Sequence, residues 1–414
     1  MSRRILFVHQ NFPGQFPRIA DALVARGDEV AAIGGGSAQE IEGVKLVRWS
    51  RFRGSTPGIF DAATRAEADL IRGEAAAGAA MELRNAGFIP DVIVGHPGWG
   101  ETLHLKDIFP GAKLILFGEF YYRYFGADVN FDREFDTPTL RGAMRTNGKN
   151  ATVALGYTMA DLIVSPTRFQ GSTLPEIFRP RMRILHEGID LSKARANSAA
   201  RVPLEDGLVL DRSTPVISFI NRNFEPLRGY HIFMRSLPAF LDAVPEAHVI
   251  LIGSDGAGYG TPRTDERSWR EQMTEELGGR IDHRRVHYVG RVSHDRMIDI
   301  LSIGAAHVYY TYPFTLSWSL VEAMACECLI LGSDTAPVRD AISPGVNGIL
   351  NDFFDVEALS SAMIRAVREP EAYRSLRTQA RETALRHFDA ATVGVPAWIR
   401  LIDEVADARV RPSR

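Results

Sequence analysis

Two arginines follow an apolar run in the second half of this 414-residue chain and could bind phosphate. Arg222 and Arg228 come after the strand-like segment PVISFI and stand six residues apart. Ligands collect in the loops at the carboxyl ends of parallel strands, and guanidinium groups hold phosphate oxygens through charge-assisted hydrogen bonds. The pair therefore predicts a diphosphate site. Because arginine is usually exposed, two solvated surface cations are the alternative interpretation.

A single carboxylate lies near the start of a predicted helix in the segment YPFTLSWSLVEAMACECLI, residues 312–330. If this helix begins near Ser317 or Ser319, its first N–H groups lack intrahelical partners. Its positive dipole end then favours a phosphate or hydroxyl oxygen. Glu322 lies about one turn further into the helix. Its carboxylate only accepts hydrogen bonds, and it could bind hydroxyl groups or simply complement the helix dipole.

Four residues of the first half follow strand-like segments and are suited to ligand binding. His96 ends the segment DVIVGH, and a neutral imidazole can both donate and accept a hydrogen bond. Gly14, in the loop NFPGQF, permits close approach of the backbone to a ligand. Glu119 and Tyr121 follow KLILFG and are weaker candidates. The alternatives are a structural histidine, a plain turn and a buried tyrosine with a satisfied hydroxyl.

The elements that must position these residues alternate, in both halves, between short β-branched runs and longer amphipathic segments. Such alternation is typical of β-α units around parallel sheets. It predicts an α/β fold of two Rossmann-like domains, residues 1–195 and 196–390, that face each other across a cleft. A final helical segment, 391–414, is expected to pack back across the boundary. The alanine-rich stretch 59–86 is predicted to be a helix.

Seven segments occur in a defined order from about residue 3 to about residue 400. They are RILFVHQNFPGQF, GHPGWGE, ILHEGID, INRNFEPLRG, HVILIG, HYVGRVS and YPFTLSWSLVEAMAC. This order resembles glycosyltransferase family 4, whose members are retaining enzymes of the GT-B fold. The resemblance implies transfer of a sugar from a nucleotide-diphosphate donor, a UDP- or GDP-sugar, to an acceptor hydroxyl. It implies neither a metal nor any other cofactor.

The resemblance also implies a role for each candidate residue. The first domain would bind the acceptor, and the second would bind the nucleotide sugar. The implied catalytic residues are His96, Arg222 and Arg228. The implied donor-binding residues are Gly14, Arg291, Val292, Leu316, Ser317, Trp318 and Glu322, of which Glu322 would bind the ribose hydroxyls. The implied acceptor candidates are Glu119 and Tyr121.

Two positions depart from the family pattern. The family has two glutamates separated by seven residues, and here Phe314 stands at the first position while Glu322 is retained. Since phenylalanine cannot accept a hydrogen bond, recognition of the donor sugar must differ at this position. The second basic residue, usually lysine, is Arg228, whose guanidinium keeps the charge and adds a planar fork.

Composition and spacing exclude several other classes. A net charge of −3 gives no electrostatic basis for nucleic-acid binding. Without an apolar run of about 18 residues we expect no transmembrane segment. With only two cysteines we expect a cytoplasmic protein. Cys326 and Cys328 lack the spacing of a zinc-ligand pair, and GSDGAGYG lacks the spacing of a dinucleotide fingerprint.

Two other functions remain open. A sugar epimerase or phosphorylase would share the fold, but an epimerase would need further acid–base carboxylates around the sugar. A catalytically silent sugar-nucleotide-binding partner is favoured by Phe314. The acceptor could be a small molecule, a glycan or a lipid-linked molecule, and a lipid-linked acceptor would bring peripheral membrane contact. The sequence does not indicate an oligomeric state.

Overall fold

The structure, a computed structural model, describes residues 2–51, 53–205, 207–256, 258–260, 265 and 267–408. The chain divides into two units: unit 1 comprises Met1–Gly188 with Ala390–Arg414, and unit 2 comprises Ile189–Asp389. The junction thus lies between Gly188 and Ile189, whereas the sequence pattern suggested residue 195. The end of the expected C-terminal segment, residues 409–414, lies outside the described residues.

Unit 1 is built on a parallel sheet of seven strands. They are β1 Arg4–Val8, β2 Glu29–Gly34, β3 Val44–Arg48, β4 Val92–Gly95, β5 Lys113–Phe117, β6 Leu162–Ser165 and β7 Met182–Ile184. Their order across the sheet is β3-β2-β1-β4-β5-β6-β7, and every neighbouring pair is parallel. The chain leaves β1 towards β2 on one side and returns to β4 on the other. A topological switch point, where ligands commonly bind, therefore lies between β1 and β4.

Helices cover both faces of this sheet. The helices of the first segment are α1 Pro17–Arg26, α2 Thr64–Asn85, α3 Leu105–Ile108, α4 Leu140–Met159 and α5 Arg168–Thr173. Alternate residues of β1 enter different cores: Ile5 and Phe7 face one, and Leu6 and Val8 face the other. This two-sided burial explains the continuous apolar run at the start of the chain. The helix predicted over 59–86 is confirmed as α2.

Unit 2 has a parallel sheet of six strands and a short antiparallel ribbon. The ribbon strands are β8 Val202–Pro203 and β9 Val209–Leu210, and the sheet strands are β10 Val216–Asn223, β11 His248–Ser254, β12 Val286–Tyr288, β13 Ala306–Tyr309, β14 Ile330–Ser333 and β15 Ile349–Asn351. The order of the sheet is β12-β11-β10-β13-β14-β15. The switch point of unit 2 therefore lies between β10 and β13.

The remaining helices complete the two units. Those of unit 2 are α6 Tyr230–Ala243, α7 Trp269–Leu277, α8 His294–Ile303, α9 Trp318–Ala325, α10 Ala336–Arg339, α11 Val356–Arg368 and α12 Arg374–Phe388. The last helix, α13 Val395–Asp407, belongs to unit 1. Its Trp398 is fully buried, with ring contacts to Phe16 at 6.1 Å and Phe117 at 6.3 Å. The end of the chain thus contributes to the core built by its beginning. None of the described helices is long and apolar enough to cross a membrane.

Candidate functional site

Arg228 lies buried at the switch point of unit 2. It ends a single 3-10 turn, Pro226–Arg228, that follows β10. Its Nη1 donates to Thr311 Oγ1 and to the carbonyl oxygen of Thr315, both at 2.9 Å, and its Nη2 donates to Thr315 Oγ1 at 3.3 Å. Both threonines follow β13, so these bonds cross the switch point. The guanidinium therefore holds the two loops together.

The charge of Arg228 has no anionic partner among the described residues. The residue is 7% exposed, and its hydrogen-bond acceptors are two hydroxyls and a carbonyl. A buried charge with only neutral partners is costly, because the solvation it has lost is only partly replaced. An anionic ligand at this position would compensate it.

Arg222 stands in a different environment from Arg228. It belongs to β10 itself, and its side chain is exposed. Its carbonyl oxygen accepts a hydrogen bond from Ser254 Oγ at 3.2 Å, whereas its guanidinium has no partner among the described residues. The structure therefore does not bring the two predicted cations into a common set of contacts.

Phe314 packs directly on Arg228. Its ring centroid is 5.4 Å from Arg228 Cζ, and the ring of Tyr259 lies 5.9 Å from the same atom. Two backbone N–H groups, of Tyr259 at 3.1 Å and Gly260 at 2.8 Å, donate to the buried carboxylate of Glu225, which fixes this loop. Phe314 is only 3% exposed. A carboxylate at position 314 could neutralise Arg228, whereas a phenyl ring attracts the cation without neutralising it.

The helix of the segment 312–330 begins as predicted, at Trp318 with Ser317 as its N-cap. The N–H of Ser319 donates to Ser317 Oγ at 3.3 Å, and the N–H of Ser317 donates to Tyr309 Oη at 2.8 Å. Leu316 packs partly against the core. These two predicted phosphate-binding amides therefore already have protein partners, which a ligand would have to replace.

Glu322 is paired with a histidine that the sequence did not indicate. Its Oε1 lies 2.8 Å from Nε2 of His294, the first residue of α8, and its side chain is 13% exposed. Arg291 Nη2 donates to Ser254 Oγ at 3.4 Å, and Val292 packs partly against the core. The ribose-binding role of Glu322 stays a prediction.

Two histidines and a tryptophan meet at the switch point of unit 1. His9 directly follows β1 and His96 directly follows β4, and their ring centroids lie 5.3 Å apart. Trp99 stacks on His96 at 4.4 Å and meets His9 edge-on at 5.1 Å. Neither His9 nor Trp99 was predicted from the sequence. The available signal was the position of His9 at the end of the apolar run ILFV, which corresponds to that of His96 after VIVG.

His96 and Glu119, predicted for different roles, are bonded to each other. His96 Nδ1 accepts from the N–H of Gly98 at 3.1 Å, so a neutral ring carries its proton on Nε2, which faces Glu119 Oε2 at 3.2 Å. Gln15 Nε2 donates to Glu119 Oε1 at 3.2 Å. Burial acts to raise the pKa of Glu119, but the His96 and Gln15 hydrogen bonds keep the pKa below its usual value. Glu119 is therefore ionised at neutral pH.

Gly14 and Tyr121 have local structural explanations. Gly14 has a φ of +53°, and a Cβ there would lie 2.5 Å from Cε1 and Nε2 of His9. Only glycine lets the backbone come this close to the ring. Tyr121 is half-buried against the core, its N–H donates to Thr173 Oγ1 at 3.1 Å, and burial raises the pKa of its hydroxyl. The role of each with a ligand stays a prediction.

Helix α2 anchors the loop that carries His96 and Trp99. The buried carboxylate of Asp69 pairs with Arg72, whose Nε donates to the carbonyl oxygen of Trp99 at 2.7 Å. Gly100 has a φ of +96°, and a Cβ there would lie 2.1 Å from the carbonyl oxygen of Asp69. The loop is therefore pressed against the helix backbone, which fixes the ring positions.

We expect Gly100→Ala to lower the free energy of unfolding of unit 1 by about 2 kcal/mol or more, because it adds a backbone clash to the strain of a positive φ. Gly27→Ala is the matched control, since Gly27 has a φ of +92° with nothing within 4 Å of a Cβ. It should cost about 1 kcal/mol. Thermal unfolding of both variants measures the difference. Equal losses would show that α2 does not clamp the loop.

Solved structures are similar to this chain over nearly its whole length. The Anabaena protein HepE in complex with UDP and glucose has a TM-score of 0.68 at 14% identity, over 97% of this chain and 100% of that chain. Sucrose-phosphate synthase from Thermosynechococcus elongatus has a TM-score of 0.71 at 16% identity, over 98% of this chain and 100% of that chain. With its two parallel sheets and their switch-point residues, the chain has the GT-B fold of glycosyltransferases.

Family models match both halves of the chain. The model described as glycosyl transferase family 4 group matches residues 26–194, and the model described as glycosyl transferases group 1 matches residues 207–383. Both models describe glycosyltransferases and together they cover most of the chain, which confirms the resemblance that the segment order indicated.

Curated relatives match only part of this chain. A D-inositol 3-phosphate glycosyltransferase of Rhodococcus jostii is 23% identical over 59% of this chain and 52% of its own length. A phosphatidyl-myo-inositol mannosyltransferase of Propionibacterium freudenreichii is 28% identical over 44% of this chain and 41% of its own length. The chain spans about half the length of the curated relatives it matches.

Proposed function

We propose that this protein transfers a sugar from a nucleotide-diphosphate donor to an acceptor hydroxyl, with retention at the anomeric carbon. The observation that carries the proposal is the buried, uncompensated guanidinium of Arg228 at the switch point of unit 2. A diphosphate supplies the missing negative charge in the geometry that a guanidinium fork recognises. The complex of the similar Anabaena protein with UDP and glucose supports a nucleotide diphosphate as the ligand.

In the proposed reaction, Arg228 stabilises the negative charge that develops on the leaving diphosphate. Preorganised charge of this kind is commonly the largest catalytic contribution, because no reorganisation is needed during the reaction. Thr311 and Thr315 fix the guanidinium, and the aromatic ring of Phe314 covers one face without neutralising it. Arg228 thus supplies positive charge that a divalent cation supplies elsewhere. We therefore propose a reaction that needs no metal.

Unit 1 is proposed to bind the acceptor, through the side chains at its own switch point. The names of the curated relatives, which include glycosyl and mannosyl transfer to inositol-containing molecules, support an acceptor with ring hydroxyls. His96 and Glu119 supply a hydrogen-bonded pair there. A small molecule, a glycan and a lipid-linked acceptor all fit this chemistry.

Calorimetric titration with UDP, GDP and ADP tests whether the protein binds a nucleotide diphosphate, as the proposal requires. We expect one nucleotide diphosphate to bind, and the corresponding sugar donors then to be hydrolysed or transferred, with the same rate in EDTA. Binding without turnover over a broad panel of donors and acceptors would favour the silent partner suggested by Phe314. Interconversion of the donor sugar would favour an epimerase. Release of a sugar 1-phosphate from a glycoside, with inorganic phosphate added as co-substrate, would favour a phosphorylase. If no nucleotide diphosphate binds, the proposal is wrong.

A further inference from the structure

A buried donor and a buried acceptor lie side by side at the switch point of unit 1, and neither makes a hydrogen bond of good geometry. His9 Nδ1 accepts from the N–H of Asn11 at 3.0 Å, so the proton of a neutral ring is on Nε2. His9 is 3% exposed, and its Nε2 has no hydrogen-bond partner among the described residues. The side chain of Gln15 is close enough to the ring to act to raise the pKa of His9, but its Oε1 is also buried without a hydrogen bond of good geometry. Buried polar atoms are normally paired, so these two atoms indicate a ligand position.

The charges around this position favour an uncharged ligand group. Burial, and then the proximity of His96, lower the pKa of His9 to about 3, so its ring is neutral at physiological pH. The ionised carboxylate of Glu119 is bonded to the other end of the same Gln15 amide, Nε2 to Oε1 at 3.2 Å. A neutral imidazole does not attract an anion, and the nearby carboxylate repels one. A phosphate would therefore be disfavoured here.

Glycine at position 14 keeps the relevant edge of His9 clear. Any side chain at Gly14 would begin 2.5 Å from His9 Nε2. The ring carbon beside that nitrogen, Cε1, would be equally close to the added atom. The absence of a Cβ at Gly14 thus keeps the N–H edge of the ring free of side chains.

We propose that His9 Nε2 and Gln15 Oε1 together bind one uncharged hydroxyl group of a sugar or polyol substrate. A hydroxyl accepts from the imidazole N–H and donates to the amide oxygen, so one group satisfies both atoms. An ionised phosphate oxygen only accepts, and it would leave Gln15 Oε1 unpaired beside Glu119. The inference rests on the proposed function for the identity of the substrate, and it adds the chemistry that unit 1 selects.

¹⁵N NMR of the full chain, labelled with ring-¹⁵N histidine, tests this contact directly. Glycerol, myo-inositol and methyl glucoside are the neutral probes, inositol monophosphate and inorganic phosphate are the anionic ones, and His9→Gln identifies the signal. We expect at least one neutral probe to shift the His9 Nε2 resonance in a saturable way, while inorganic phosphate does not. If no neutral probe shifts it, or if inorganic phosphate alone does, the inference is overturned.

Two variants of His9 separate ligand binding from a structural role. His9→Leu and His9→Gln both lose the acceptor for Asn11, but only glutamine can place an N–H near the position of Nε2. For the acceptor used in the transfer assay, we expect His9→Leu to lower kcat/KM by about 2- to 10-fold, the value of one neutral hydrogen bond. His9→Gln should lose measurably less. Equal losses in both variants would make His9 purely structural.

The affinity for the nucleotide diphosphate distinguishes this inference from the proposed function. It should be the same in His9→Leu, His9→Gln and the parent chain, because Arg228 and its partners belong to unit 2. Failure of the parent chain to bind any nucleotide diphosphate would refute the proposed function and leave the ring-nitrogen result to stand on its own. Loss of nucleotide affinity in His9→Leu alone would overturn the hydroxyl assignment.

Discussion

Replacing Arg228 by alanine is expected to weaken binding of the nucleotide diphosphate by about 10- to 100-fold. A hydrogen bond to a charged group contributes about 1.5–3 kcal/mol, and the buried fork of Arg228 offers more than one such bond. The loss should be close to the full value, because the guanidinium is already held by Thr311 and Thr315 and needs no ordering on binding. Calorimetric titration with the nucleotide found by screening measures the effect.

Arg222→Ala is the matched control for Arg228→Ala. Both variants remove an arginine side chain, Arg222 from β10 and Arg228 from the turn that follows it. Arg222, however, is exposed, and its charge is screened by solvent. We expect a loss of no more than about 3-fold. Arg228→Lys keeps the charge without the fork and should fall between the two. If Arg222→Ala weakened binding as much as Arg228→Ala, the buried guanidinium would not be the principal diphosphate ligand.

The α/β architecture could be predicted because its signal is local. Each strand is a short apolar run and each helix an amphipathic segment, so the alternation in the sequence defines parallel sheets. The order of the strands in each sheet cannot be predicted in this way, because it depends on the side of β1 or β10 on which the chain places its later strands. The boundary between the units likewise depends on contacts that are distant in sequence. Ile189 and Leu191 pack into the core of unit 2, although the polar stretch that suggested a linker begins only after them.

The candidate site was predictable only in part, because side-chain direction depends on distant partners. The sequence treats Arg222 and Arg228 alike, six residues apart. Arg228 turns inward because its acceptors are Thr311 and Thr315, which lie 83 and 87 residues further along the chain. From the sequence, Phe314 indicates only that a contact to the donor sugar is lost. Its packing against Arg228 is visible only in the structure. His9 follows its strand as His96 does, but the family resemblance implies a role only for His96, so the sequence alone did not single out His9.

A buried glutamate makes the stability of unit 1 depend on pH. Glu101 follows the loop of His96 and Trp99, is 1% exposed, and has both carboxyl oxygens buried without a partner among the described residues. Burial raises its pKa to about 7, against the opposing effect of the charge on Arg72. Between about pH 4.5 and pH 7 the folded chain therefore keeps a proton that the unfolded chain has released.

The sign of the effect follows from this difference in bound protons. Because the folded state binds more protons, the contribution of Glu101 to stability is present at low pH and is lost as the pH rises through that window. The total loss is about 3 kcal/mol, and above pH 7 it should not increase, since both states are then ionised. The ionised side chain lies next to the loop that positions His96, so the same window should affect that loop.

Glu101→Gln replaces the carboxyl group by a neutral amide of the same size and should remove this dependence. We expect the free energy of unfolding of the variant, minus that of the parent chain, to rise by about 3 kcal/mol between pH 5 and pH 8. Denaturant unfolding at several pH values measures the gain. Glu82→Gln is the control, since Glu82 is exposed on α2 of the same unit, and its difference from the parent should stay constant with pH. A constant difference for Glu101→Gln as well would mean that Glu101 is ionised in the folded chain at every pH tested. In that case the charge on Arg72 would be enough to keep the carboxylate ionised, and the loop after His96 would carry a negative charge at every pH tested.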